Sequence, residues 1–197
     1  MEEVNPALPH AVAGSGGNKP SHIGHSSEQP PSSPDAVPSS STSMEKAIEQ
    51  EVFALEMGYG LLVMADKGKG GDLLERITGA RTNFAKEMGM LLPTIGVRDN
   101  IELEPNEYRF LLRGKEIARS SVMPDRFLAM NMGGGNDDKI DGVATVEPVF
   151  GIKAHWVTEK DKRKAEVEGF TVVDPSSVLV THLSDILKRS AYMILER

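Results

Sequence analysis

The sequence predicts an α+β fold, a mixture of strands and helices packed as small layers, and three observations carry that reading. Short apolar runs of strand length are separated by Gly-, Asn- and Asp-rich turns. Between them lie segments whose apolar residues recur every three or four positions, the spacing of a helix face. The longest apolar runs are only a handful of residues, far short of the ~20 that cross a bilayer.

The first 44 residues stand apart, because Ser, Pro and Gly fill 21 of them and Phe, Tyr and Trp are absent. Such a segment cannot bury enough apolar surface to offset its ordering entropy, so residues 1–47 are expected to be a disordered linker. Its His10, His22 and His25 are read as scattered solvated residues in preference to a metal-binding tail.

Beyond it, Val52–Leu55 and Leu61–Met64, split by Gly58-Tyr59-Gly60, read as a bent strand or a strand pair. Lys67–Gly71 is a loop. Asp72 is an N-cap and Glu75 completes a capping box. Leu73, Leu74, Ile77, Ala80, Phe84, Ala85 and Met88 then form one helix face, closed by Gly89. Thr94–Val97 is a short strand. Tyr108–Arg113 and Glu116–Arg119 form a hairpin about Gly114-Lys115, where Gly at the first turn position suits type II′. Phe127–Met130, Ala154–Val157 and Phe170–Val173 are further strands. Thr158 and Asp161 open a charged helix that Gly169 ends. Asp174-Pro175 starts the last helix, with an acceptor at the cap and Pro behind it. Its apolar side runs Leu179, Leu183, Ile186, Leu187 and Ile194. The sequence stops at Arg197 without a cap, which suggests a cut inside a longer chain.

Composition excludes several functions. With 22 basic against 29 acidic residues and a net charge of -7, there is no basic patch for phosphates, so nucleic acid is not an expected partner. There is no cysteine, hence no disulfide, thiolate nucleophile or Cys-based zinc site. Met1-Glu2-Glu3 is acidic and lacks a secretory h-region, so the chain as given is expected to be soluble and cytosolic. Gly58-Tyr59-Gly60 lacks the third Gly of a dinucleotide fingerprint, and Lys67–Gly71 lacks the Ser or Thr of a phosphate loop. Asp137, Asp138 and Asp141 lack the ligand spacing of an EF-hand. Outside the first 44 residues only His155 and His182 are of the type that serves as a general base near neutral pH; each is read as a structural or surface residue in preference to a catalytic one, and Ser184 and Asp185 follow His182 too closely for a triad. No cofactor, metal or enzymatic activity is expected.

A resemblance adds to these residues. Glu56–Leu62, Gly71–Ile77, Ile95–Asn100, Pro105–Arg109, Glu147–Gly151, Gly169–Pro175 and Val180–Leu183 follow in the order found in the cytoplasmic domain of the FlhA family, the bacterial flagellar type III export-gate proteins. The resemblance implies an inner-membrane parent protein with this segment on the cytoplasmic face, a homo-oligomeric ring, and docking of export chaperones with bound cargo and of other soluble export-apparatus components. It implies a first subdomain over 48–125 plus 175–195 and an inserted, ferredoxin-like second one over 126–174. The family's docking site is a shallow apolar depression where these meet, and its motif falls on Glu147, Phe150 and Thr181. Phe150 is expected to offer an apolar face, with Glu147 and Thr181 supplying hydrogen bonds at the rim. Phe150-Gly151 favours the flagellar branch. An injectisome-type homologue and a truncated interaction module without export activity are the alternatives.

Overall fold

A computed structural model describes residues 51–195, and the expected linker with its three histidines lies outside them. Two four-stranded sheets organise the fold. In the first, β1 (Phe53–Met57) is central, parallel to β2 (Ile95–Asp99) and antiparallel to β3 (Glu107–Leu112), with β4 (Lys115–Ser121) beyond β3. Phe53, Leu55, Met57, Tyr108, Phe110 and Leu112 alternate along β1 and β3 and are buried on one face. The opposite face carries charge. Glu56, 7% exposed, accepts hydrogen bonds from Arg98, Arg109 and Asn100 at 3.0, 2.7 and 2.7 Å. Burial pushes its carboxyl pKa up, and these donors outweigh that, holding it below the usual glutamate value.

The second sheet runs in the order β6 (Val143–Val146), β7 (Lys153–Val157), β5 (Phe127–Met130), β8 (Thr171–Val173), with every neighbouring pair antiparallel. Strands β7 and β8 are therefore parallel, joined by helix α3 (Glu159–Val167) with β5 between them. This split βαβ unit is the ferredoxin-like feature. The stretch from β5 to β6 holds one 3-10 turn, Asp137–Lys139.

Helix α4 (Pro175–Arg189) ties the sheets together. Its Val178, Leu179, Leu183, Ile186 and Leu187 share one core with Phe53 and Phe110 of the first sheet and with Leu128 and Trp156 of the second. Helix α2 (Leu73–Met88) packs beside it. A smaller cluster, Ala129, Val157, Ala165 and Phe170, seals the far face of the second sheet under α3. A short helix, α5 (Ala191–Leu195), follows α4.

Four local expectations differ from the structure. Leu61–Met64 is not a strand: Tyr59–Leu61 is a 3-10 turn and α1 (Leu62–Ala65) is helical. Leu61 and Met64 are buried while Leu62 and Val63 are exposed, which is helical rather than alternating spacing. Amides of Gly58 and Gly60, bonded to Glu107 and Pro105 carbonyls, draw the chain out of β1. Asp72 makes no cap bond; its carboxylate accepts from Arg76 Nε at 2.6 Å, and Glu75 pairs with Lys67 at 2.8 Å. The hairpin turn is Arg113-Gly114, with φ of 48° and 77° and Leu112 opposite Lys115, so it is type I′ rather than II′. Strand β6 was not expected at all. Val143 and Val146 lie on an exposed edge, and no buried alternation announces the strand.

Candidate functional site

Residues Glu147–Gly151 turn the chain from β6 into β7, and their sequence dictates the shape. The Glu147 carboxylate accepts the Val149 amide at 3.1 Å and the Phe150 amide at 2.7 Å. The Gly151 amide closes on the Glu147 carbonyl at 3.1 Å, and the Glu147 amide donates to Ile152 at 2.8 Å. Gly151 is left-handed, with φ of 68°. Glu-Pro-Val-Phe-Gly is thus one isolated helical turn: an acceptor at the cap, Pro in the first position, Gly at the end. The turn leaves Phe150 73% exposed while Glu147 is 4% exposed.

Phe150 stands at a shallow depression of about 140 Å³. Met130 and Met132 line it from β5 and just beyond, and Glu147 and Ile152 from the turn. Val173 of β8 and Ser177, Val178 and Thr181 of α4 complete it. The structure therefore brings Glu147, Phe150 and Thr181 into one hollow. It places Glu147 differently from expectation: the carboxylate is inside, engaged by its own turn, and not at the rim. Its neighbours Met130, Met132, Ile152, Val173, Val178 and Ser177 were not singled out from sequence. The only signals for them were the i, i+4 spacing of Ser177 and Thr181 and the Met130-Asn131-Met132 alternation.

Next to Thr181 in α4 is His182, 5% exposed, with its Nδ1 2.9 Å from the Tyr108 hydroxyl. Phe110 meets the imidazole edge-on at 5.3 Å. Burial pushes the His182 pKa below its ordinary value, against the opposing pull of Asp185 and Glu147. Burial likewise raises Tyr108. This is a packed structural pair. Ser184 donates to the Val180 carbonyl at 2.9 Å, and Asp185 pairs with Arg189 at 2.9 Å, so both are engaged elsewhere than in a hydrogen bond to His182. His155 lies beside Phe170, its Nδ1 3.9 Å from Asp137. Asp137 accepts from Asn131, and Asp141 pairs with Lys164. Among the described residues, no group of three or more His, Cys, Asp or Glu side chains is placed to hold a metal. No helix there is long and apolar enough to cross a membrane.

The sequence matches the FHIPEP family over residues 11–197. The chain belongs to that family. Among FHIPEP relatives, the flagellar biosynthesis protein FlhA of Bacillus subtilis is 42% identical over 155 residues, covering 79% of this chain and 23% of that protein. FlhA of Helicobacter pylori is 44% identical over 148 residues, covering 75% of this chain and 20% of that protein. The chain thus spans about a fifth of the length of the relatives it matches. Among solved structures, the Chlamydia pneumoniae CdsV protein is similar in fold, with a TM-score of 0.61 and 23% identity over 74% of this chain and 44% of that one. A cytoplasmic domain of Salmonella InvA gives 0.55 and 18%, over 72% of this chain and 81% of that one.

Proposed function

We propose that this FHIPEP chain is a cytoplasmic docking platform of a flagellar type III protein export gate, and that export chaperones carrying cargo seat on the Phe150 depression. The observation that carries the reading is an aromatic ring left 73% exposed at an apolar hollow when most other large rings among the described residues are buried. A cavity of ~150 Å³ takes one benzene-sized group, so a hollow of about 140 Å³ suits one inserted side chain and not a cofactor. Exposed rings of this kind are the usual anchors of protein interfaces. The identities of 42% and 44% to flagellar proteins favour the flagellar over the injectisome branch.

The same reading sets the chain on the cytoplasmic face of the bacterial inner membrane, within a homo-oligomeric ring of the longer protein. Soluble components of the export apparatus are a second partner class, and CdsV has been solved in complex with CdsO. We also propose the division into 48–125 plus 175–195 and 126–174, because each sheet draws its strands from one of these segments.

Calorimetry tests the docking. Phe150→Ala is expected to weaken chaperone–cargo binding by ~2 kcal/mol with an unchanged unfolding midpoint, since the ring contributes little to the core. Wild-type affinity in a normally folded variant rejects the assignment.

A further inference from the structure

We infer that Glu147 is a positioning residue that acts through Phe150, and that the hollow receives a single uncharged apolar side chain. The inference rests on the docking reading above. An acid beside an exposed ring invites the idea of a basic partner residue. The geometry points the other way. Glu147 is 4% exposed, and each carboxylate oxygen already accepts a backbone amide of the turn, at 3.1 and 2.7 Å. The lone pairs those amides leave free belong to a carboxylate only 4% exposed, so a Lys or Arg anchor would have to give up the hydration of its own charge to reach them, a penalty that one ion pair does not readily offset.

Two hydroxyls also line the hollow, those of Ser177 and Thr181, and neither carries a charge to pair with a Lys or Arg. The Ser177 hydroxyl donates to Asp174 at 2.6 Å and accepts from Arg76 at 2.7 Å. Apart from the neutral Thr181 hydroxyl, what the hollow offers a newcomer is apolar: Met130, Met132, Phe150, Ile152, Val173 and Val178. Unbranched methionine side chains adapt to differently shaped apolar groups, so the site selects for apolar character more than for one exact shape.

Side-chain chemistry separates positioning from contact. An aspartate at a cap, though shorter than glutamate, accepts amides two and three residues on, so Glu147→Asp keeps the turn. Glu147→Gln replaces one acceptor oxygen with a donor that faces an amide. Glu147→Ala removes both acceptors. The test uses the full 197-residue chain and, as probe, a purified flagellar export chaperone with its cargo from the same genome. Amide hydrogen exchange comes first and needs no partner: Val149 and Phe150 should be protected in the wild type and in Glu147→Asp, and exchange faster in Glu147→Gln and Glu147→Ala.

Calorimetry follows. Phe150→Ala and Glu147→Ala should each weaken binding by about 30-fold, the double variant no more than either, and Glu147→Asp by less than about 3-fold. The ratio of Kd between wild type and Glu147→Ala should hold from about 50 to 500 mM NaCl, a range over which exposed ion pairs are progressively screened. Losses that multiply in the double variant, or a ratio that collapses with salt, would mean that Glu147 meets the partner directly and would overturn the inference. Unchanged binding by Phe150→Ala would instead remove the docking reading, while the exchange data would still decide whether Glu147 holds the turn.

Discussion

At the residue scale, His182 and Glu147 show how burial decides what a titratable group does. The imidazole packs against Tyr108 and Phe110 with its pKa below the ordinary value. A base whose folded pKa lies below its unfolded value, near 6.5, takes up its proton more readily once the chain unfolds. The stability it contributes is therefore full above about pH 6.5 and falls as pH drops through that value toward the folded one. Glu56 and Asp174, both held low, act in a separate window: their contribution is present above the ordinary carboxylate values of 4.5 and 3.8 and is lost below them. Urea unfolding at about pH 7.5 and 5.5 should show a drop for the wild type and a smaller one for His182→Gln. Equal drops would assign the loss to another group. Its place within the last helix made His182 a structural or surface candidate, and the resemblance picked out Glu147, Phe150 and Thr181. Neither said that Glu147 turns inward, because one sequence does not tell whether an acid accepts from a partner or from its own backbone. The Glu-Pro-Val-Phe-Gly pattern, an acceptor, Pro and Gly at cap spacing, held that information.

At the element scale, two aspartates precede long helices and only one caps. Asp174 accepts the Ser177 amide at 2.9 Å, whereas Asp72 makes only an ion pair with Arg76. Arg76 also donates to Ser177 and reaches Asp174 at 3.4 Å, joining the starts of α2 and α4. Removing a capping acceptor costs about 1–2 kcal/mol, and an exposed ion pair is worth under about 1 kcal/mol. Chemical denaturation should accordingly find Asp174→Ala clearly less stable than Asp72→Ala. The reverse order would mean that Asp72 caps α2 in solution. Helices α2 and α4 were legible because their buried faces repeat over three or more turns. The one-turn helix α1 was not, since four residues of Leu-Val-Met-Ala carry too little period to separate helix from strand. Edge strand β6 failed for a related reason: with both faces exposed there is no alternation to read. The hairpin was placed within a residue, but its turn type depended on Arg113 adopting a positive φ, which composition disfavours.

At the scale of the whole molecule, both sheets lean on one core through α4, and the described residues fall within one compact unit. Heating should therefore unfold both sheets together, in one transition reported alike by Trp156 fluorescence from the second sheet and by circular dichroism. Two separated transitions would make the proposed subdomains independent. The alternation of strand and helix made the mixed fold legible from sequence. The pairing order of the strands was not, because register and order come from long-range packing that no local pattern records. The site lies where sequence-distant segments converge, Met130, Glu147–Ile152, Val173 and Ser177–Thr181, so its shape became visible only in three dimensions. Its role as a protein-docking surface is the central claim, and the methionines give a direct probe of it. Of the 10 methionines, Met130 and Met132 line the hollow, Met57 and Met64 are buried, and Met88 is exposed on α2. Methyl resonances of the labelled chain, titrated with a chaperone–cargo complex, should shift at Met130 and Met132 and stay fixed at Met57 and Met88. Saturable binding that moves Met88, or leaves Met130 and Met132 unperturbed, would contradict the account.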